Sequence, residues 1–91
     1  MKFLTAPIAD VVVVEPQVFG DDRGFFMETW QEPKFLAAGI DARFVQDNQS
    51  RSTQWTLRGM HLQVEHTQGK LVRVTAGVVF DAVVDLSLIH I

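Results

Sequence analysis

Short runs of β-branched and aromatic residues, each bounded by turn residues, predict a chain made mostly of strands. Four consecutive valines at 11–14 are followed by Glu15 and Pro16, and this pattern is typical of a strand that is buried on both faces or lies at a dimer contact. Alternation of apolar and polar positions predicts further strands at 23–30, 43–48, 56–63, 70–76 and 78–86. About six short strands separated by turns indicate an antiparallel sandwich or barrel.

One helix is expected among these strands, at residues 33–38. Pro33 suits the first helical position because its missing N–H would have no intrahelical partner there. Phe35 and Leu36 form a short apolar stripe, and Gly39 is a natural end. The sequence therefore predicts an all-β protein with one short helix. A double-sheet jelly roll needs about eight strands, so we expect the chain to end before such a barrel closes.

Length, charge and composition restrict the classes of function. The 91 residues suffice for one small domain, and the absence of cysteine excludes a disulfide framework and a thiolate metal site. A net charge of −3 argues against nucleic acid as a partner, although a phosphorylated small molecule needs only a few well-placed cations. We expect no signal peptide and no membrane span, because the apolar runs are too short, and therefore a cytoplasmic location.

Polar residues with reactive side chains are concentrated in two neighbouring predicted strands, between residues 56 and 74. They are Arg58, His61, Gln63 and Lys70. Histidine is the side chain whose ordinary pKa lies nearest to neutrality, so His61 is a candidate for moving a proton. A lysine on the next strand could stabilise the oxyanion that forms when the proton leaves. The alternative is a half-exposed strand pair with ordinary surface charges, and this stretch taken alone favours it.

Four sequence blocks support a specific resemblance. The blocks are VFGDDRGFFME at 18–28, FVQDNQS at 44–50, LRGMHLQ with QGKLVR at 57–63 and 68–73, and GVVFDAVVD at 77–85. In this order they resemble the dTDP-4-dehydrorhamnose 3,5-epimerase family. The resemblance spans positions 11–86, which is nearly the whole chain but only about the first half of the family's usual length.

The resemblance implies a fold and an activity. The fold is a cupin-like double-stranded β-helix, or jelly roll, with residues 1–86 as the N-terminal part of a single domain and 87–91 as a non-native tail. The activity is that of a cofactor-independent isomerase, which inverts carbons 3 and 5 of dTDP-4-dehydro-6-deoxy-D-glucose to give dTDP-4-dehydro-L-rhamnose. A homodimer is implied for the full-length protein, while the fragment itself is expected to be inactive.

The resemblance also implies roles for individual residues. His61 matches the base that removes the proton beside the ketone, and Lys70 matches the lysine near the 4-keto oxygen. The substrate-binding positions are Arg23, Glu28, Gln46, Asn48 and Arg58. From its position on the last predicted strand, and not from the resemblance, Asp81 is expected to support the catalytic pair, with Gln63, while a pairing with Arg73 or a solvated strand face stays open for Asp81. The acid, and the aspartate that holds the base, are expected beyond residue 91.

Arg58 and His61 can share a pocket only if the strand between them is irregular. Strict alternation places His61 with Gly59 and Gln63 on one face and Arg58 on the other. We therefore predict a β-bulge at Gly59, where glycine tolerates the necessary backbone conformation. An ordinary explanation stays open for Lys70, because a lysine at a strand edge discourages unwanted pairing.

Two kinds of alternative function remain open. One is an epimerase that acts at a single carbon, or a ketoisomerase, on a related dTDP-sugar. The other is a non-catalytic or metal-dependent cupin. Cupin metal sites usually have His-x-His followed by Glu, whereas here His61-x-Gln63 is followed by Glu65 and His66. Glutamine is a poor ligand for transition metals, so we expect no metal and no cofactor.

Overall fold

The computed structural model describes residues 1–88, apart from the side chain of residue 88. Its contacts divide the described chain into two units. The first contains Met1–Asp41 and the segment that begins at Phe80, and the second contains Ala42–Val79. Regular secondary structure in the described residues lies in the first unit, which consists of two hairpins, one α-helix and one turn of 3-10 helix.

The first hairpin joins strand β1, Lys2–Thr5, to strand β2, Val12–Glu15, in antiparallel pairing. The valine run therefore forms the predicted strand, and β1 is an addition that the sequence pattern does not predict. Val12 and Val13 are 38% and 50% exposed, so this chain does not bury the strand on both faces. The other half of that expectation, a dimer contact, stays a prediction.

The second hairpin joins strand β3, Val18–Asp21, to strand β4, Gly24–Met27. Their antiparallel register leaves a two-residue turn at 22–23. Asp21 Oδ1 accepts a hydrogen bond from the backbone N–H of Arg23 at 2.8 Å, which is the way in which aspartate side chains stabilise turns. Strand β4 is shorter than the predicted strand at 23–30. It ends at Met27 because its partner, β3, begins at Val18, which is the residue opposite Met27.

Helix α1 spans Glu32–Ala37, which confirms the predicted helix with a shift of one residue. Pro33 lies in the first turn, where its missing N–H costs no hydrogen bond. Gly39 follows the helix with φ of +85°, a left-handed conformation that glycine adopts without steric cost. Its N–H donates to the carbonyl of Leu36 at 3.0 Å, so a carbonyl at the helix end keeps a partner.

Phe35 of α1 is the centre of the first unit and the one fully buried side chain among those that the structure describes. The ring of Phe3 meets it edge-on, with centroids 5.1 Å apart and an angle of 87° between the ring planes. The ring of Trp30 lies 4.3 Å away and is tilted by 49°. Rings in such arrangements attract each other beyond the area they bury. Phe35 therefore connects β1 to the segment that precedes α1.

The second unit, Ala42–Val79, contains no helix or strand in the described structure. The strands predicted there and just beyond it are wrong for this structure: 43–48, 56–63, 70–76 and 78–86. A strand forms where a neighbour takes its hydrogen bonds and a packed face covers its side chains. Apolar side chains in this unit lack such cover, since Trp55 and Leu57 are 91% and 89% exposed.

The described chain belongs to the all-β class, since its regular structure consists of two small antiparallel sheets with one short helix. Among the residues described, no helix has the length and apolar character that crossing a membrane requires. The predicted domain at 1–86 and the predicted tail at 87–91 stay predictions. Residues 89–91 of that tail lie outside the described residues.

Replacing Phe35 by alanine should remove the packing of the first unit. A buried phenylalanine cut back to alanine costs about 3 to 5 kcal/mol, a large share of the stability of a small domain. Trp30 is 37% exposed and packs on Phe35, so its emission, read in a Trp55→Phe background, should shift further toward that of a fully solvated indole. Phe80 is 94% exposed, so Phe80→Ala is the matched control and should leave the emission unchanged. Equal effects of the two substitutions would show that Phe35 is not the core.

Candidate functional site

Arg23 stands at the tip of the second hairpin, where it is paired with Asp21. Its Nε and Nη2 donate to Asp21 Oδ2 at 3.2 and 2.6 Å. This side-chain bond, together with the bond from the backbone N–H of Arg23, holds the pKa of the Asp21 carboxyl below its ordinary value. The Arg23 side chain is 91% exposed, so most of the guanidinium stays available to a ligand.

Three phenylalanines of the same hairpin line a depression together with Arg23. This shallow, open depression is lined by Phe19, Phe26 and the pair of Arg23 with Asp21. Phe25, which also lines it, is 71% exposed. A depression lined by a guanidinium and exposed aromatic side chains suits a ligand that combines phosphate with a flat base, because arginine binds phosphate and aromatic rings stack on bases.

Glu28 directly follows strand β4 and binds two side chains at the start of helix α1. Lys34 Nζ donates to Glu28 Oε1 at 2.7 Å, and Gln31 Nε2 donates to Glu28 Oε2 at 3.2 Å. The bond from Lys34 is the main reason why the pKa of Glu28 lies below its ordinary value. Glu28 is therefore an ionised hydrogen-bond acceptor near neutral pH, and each of its oxygens already has one donor.

In the second unit the structure brings together Gln46 and Asn48, two of the predicted substrate-binding residues. Gln46 Nε2 donates to Asn48 Oδ1 at 3.4 Å, and both side chains are exposed. Each amide has two N–H donors and a carbonyl oxygen, and this contact uses one donor and one acceptor. The pair can therefore still bind hydroxyl groups or the edge of a base.

Arg58 and His61 flank a glycine that leaves the extended conformation. Arg58 Nε donates to Ser52 Oγ at 2.7 Å. Gly59 has φ of +96°, and a Cβ built on it would lie 3.4 Å from His61 Nδ1. No strand ladder runs through 57–62 in the described structure, so the predicted β-bulge is not formed here. The backbone does depart from a strand at the predicted residue, and a shared pocket for Arg58 and His61 stays a prediction.

The predicted catalytic residues, His61 and Lys70, are exposed to solvent. Within residues 1–88, neither makes a hydrogen bond or an ion pair, and the same holds for Gln63 and Asp81. No bonded arrangement therefore assembles the predicted pair. The physical reason is that a sheet aligns side chains on neighbouring strands, and the segment that carries His61 and Lys70 forms no sheet among the described residues. Their roles stay predictions.

Sequence reasoning misses the partners that hold several predicted binding residues. The partners are Asp21 for Arg23, Lys34 with Gln31 for Glu28, and Ser52 for Arg58. The Asp-x-Arg spacing in a turn could have indicated the first, because aspartate bonds the backbone two residues on. In the part of the chain that the structure describes, no three or more histidine, cysteine, aspartate or glutamate side chains are placed to hold a metal ion.

The fold places the chain in the all-β class, and comparison with known proteins gives the family. The model of the dTDP-4-dehydrorhamnose 3,5-epimerase family matches residues 5–88. Because this match covers most of the chain, the chain belongs to that family. The resemblance inferred from the four sequence blocks is thereby confirmed.

Several relatives share the name dTDP-4-dehydrorhamnose 3,5-epimerase. The protein from Pseudomonas aeruginosa is 54% identical over 87 residues, which are 94% of this chain and 48% of the relative. The protein from Methanothermobacter thermautotrophicus is 48% identical over 85 residues, 93% of this chain and 46% of the relative. The Escherichia coli protein is 50% identical over 88 residues, 94% of this chain and 48% of the relative. The chain thus spans about half the length of these curated relatives, and no solved structure gives a significant match.

Replacing Arg23 by glutamine should raise the pKa of Asp21 toward its ordinary value, because the bond from the guanidinium is lost. Since the folded-state pKa of Asp21 is lowered, the stabilisation from this pair is present above the ordinary carboxyl pKa and is lost as the pH falls through the lowered value. An NMR titration of the side-chain carboxyl measures both effects.

The control for this titration is Arg43→Gln, which removes an arginine that makes no ion pair within residues 1–88. This control should leave the titration of Asp21 as it is in the parent chain. If the carboxyl of Asp21 titrated with the same midpoint in the parent chain and in Arg23→Gln, the pairing of Arg23 with Asp21 would not exist in solution.

Proposed function

We propose that the chain is the N-terminal part of a cofactor-independent epimerase that converts dTDP-4-dehydro-6-deoxy-D-glucose into dTDP-4-dehydro-L-rhamnose. The family match over residues 5–88 carries this proposal. Relatives of that name with 48 to 54% identity support it. Carbons 3 and 5 both adjoin the ketone at carbon 4, so each inversion removes the proton from one of these carbons to give an enolate and returns a proton to the opposite face.

His61 is the proposed base. A base must reach a proton on the substrate, and the imidazole is exposed and has no competing hydrogen bond within residues 1–88. Gly59, two residues before His61, has a positive φ that glycine adopts without steric cost, so the backbone leaves the extended conformation close to the imidazole. Lys70 is proposed to stabilise the enolate oxygen, and Asp81 and Gln63 to support the pair.

The remaining polar positions are proposed to hold the nucleotide and its diphosphate: Arg23, Glu28, Gln46, Asn48 and Arg58. The exposed guanidinium of Arg23 among aromatic rings supports a phosphate contact. Arg58 uses one of its five N–H donors on Ser52, which leaves four for a ligand. The ionised Glu28 suits hydroxyl or N–H groups of the sugar or base.

We further propose that the full-length protein is a cytoplasmic homodimer with a cupin-like jelly roll. Exposed apolar side chains support this architecture. Val13 on β2 is 50% exposed, and Phe25 and Phe26 on β4 are 71% and 70% exposed. Neighbouring exposed residues of this size mark surfaces that another element covers. Further strands, from the same chain or from a second copy, would cover them.

Replacing His61 by alanine should abolish exchange of substrate hydrogen with solvent. The test uses a chimera in which residues 1–86 replace the matching half of the Pseudomonas aeruginosa relative. In deuterated water the chimera should incorporate deuterium at carbons 3 and 5 of the dTDP-4-keto sugar. His61→Ala should slow this by about 10² to 10⁴, the usual contribution of a general base. His66→Ala removes a second exposed histidine and is the matched control, expected to exchange at the parent rate.

The pattern of labelling separates the related functions. Deuterium at one carbon alone would show a single-carbon epimerase or a ketoisomerase. Equal rates in His61→Ala and the parent chimera would remove His61 as base. A folded chimera without exchange would contradict the proposed function and favour a non-catalytic cupin.

Treatment with a chelator should leave the activity of the chimera unchanged. His61, Lys70 and the binding residues supply proton transfer and charge stabilisation through side chains alone, so the proposed chemistry requires no Lewis acid. Exchange is measured before and after dialysis against EDTA, with metal content determined in parallel. Loss of exchange that zinc or iron restores, at one ion per chain, would show a metal-dependent cupin instead.

A further inference from the structure

The carboxylate of Glu28 is held from two sides by the start of helix α1. Lys34 Nζ lies 2.7 Å from Glu28 Oε1, and Gln31 Nε2 lies 3.2 Å from Glu28 Oε2. With one donor on each oxygen, the plane and direction of the carboxylate are defined more closely than one bond would define them. A carboxylate has about four acceptor positions, so about two remain open for a further donor.

The burial of Phe35 places Lys34 at this position. Lys34 immediately precedes Phe35, and Phe35 is fully buried against Phe3 and Trp30. Trp30 itself lies between Glu28 and α1 in sequence, so its contact with Phe35 ties the connecting segment to the helix. The ammonium of Lys34 therefore starts from a fixed backbone position beside Glu28.

The pair contributes orientation more than stability. The side chains of Lys34 and Glu28 are 48% and 38% exposed, and ion pairs at such exposure add little to the free energy of unfolding. The consequence of the pair is instead that the Glu28 carboxylate is ionised and has a defined orientation before a ligand binds. Preorganised groups lose less conformational entropy when they bind.

We propose that Lys34 is a positioning residue, which holds Glu28 in the orientation that binds a hydroxyl or N–H donor of the nucleotide-sugar. Lys34 itself does not touch the ligand. This inference rests on the proposed function, because it requires that Glu28 bind substrate.

The kinetic test compares substitutions at Lys34 in the chimera of residues 1–86 with the Pseudomonas aeruginosa relative. Lys34→Met should raise KM by roughly two- to fivefold, the range that an exposed ion pair supports, with little change in kcat. Lys34→Arg should restore KM because arginine can bind the same carboxylate. Lys2→Met is the matched control, since Lys2 is exposed and makes no ion pair within residues 1–88.

A double substitution distinguishes positioning from a general structural role. If Lys34 acts through Glu28, Lys34→Met should change KM no further in a chimera that already has Glu28→Ala. If Lys34 only supports the fold, Lys34→Met should raise KM by the same factor in the parent chimera and in the chimera with Glu28→Ala. That second result would overturn the inference.

An NMR titration of Glu28 in the 91-residue chain tests the pair without any activity. Lys34→Met should raise the pKa of Glu28 toward its ordinary value, and Lys2→Met should not. An unchanged pKa of Glu28 in Lys34→Met would overturn the inference whatever the kinetics show.

An active chimera in which Glu28→Ala leaves KM unchanged would also overturn the inference, while leaving the proposed epimerase function intact. A folded but inactive chimera would contradict the proposed function and this inference together.

Discussion

The burial of Phe35 between Phe3 and Trp30 is the interaction on which the first unit depends. Full burial of a phenylalanine stabilises a fold by about 1.5 to 3 kcal/mol, and the edge-on contact with Phe3 adds to this. This one side chain fixes helix α1 beside strand β1. The same placement brings Lys34 to Glu28, so the orientation of a proposed binding residue depends directly on the core.

The second unit has no comparable anchor among its described residues. The residues proposed for proton transfer, His61 and Lys70, lie there, on a segment whose apolar side chains are exposed. In the first unit, by contrast, hydrogen-bonded register decides which side chains stand opposite each other. Under the proposed function, the catalytic pair is aligned only when strands pair along this segment. Folding and the assembly of the site would then be the same event.

Local signals in the sequence predict local structure well, because they need no distant partner. Pro33 and Gly39 define the helix to within one residue, and the valine run defines β2. Alternation between 43 and 86 predicts strands that do not form, because a strand also requires a neighbour and a covered face. The family is predictable from short blocks of residues. The contact of Lys34 with Glu28 is not, since it depends on where the burial of Phe35 places the helix.

The pairing of Arg23 with Asp21 determines how an anionic ligand could be accepted by a chain whose net charge is −3. Asp21 occupies the Nε and one Nη2 donor, which leaves three of the five donors of Arg23 open. Asp21 also bonds the backbone N–H of Arg23, so the carboxylate keeps a partner if the guanidinium turns away. Since both side chains are exposed, the exchange of Asp21 for a phosphate requires little desolvation. The ion pair therefore keeps Arg23 near the aromatic rings of the hairpin without blocking the contact that we propose for it.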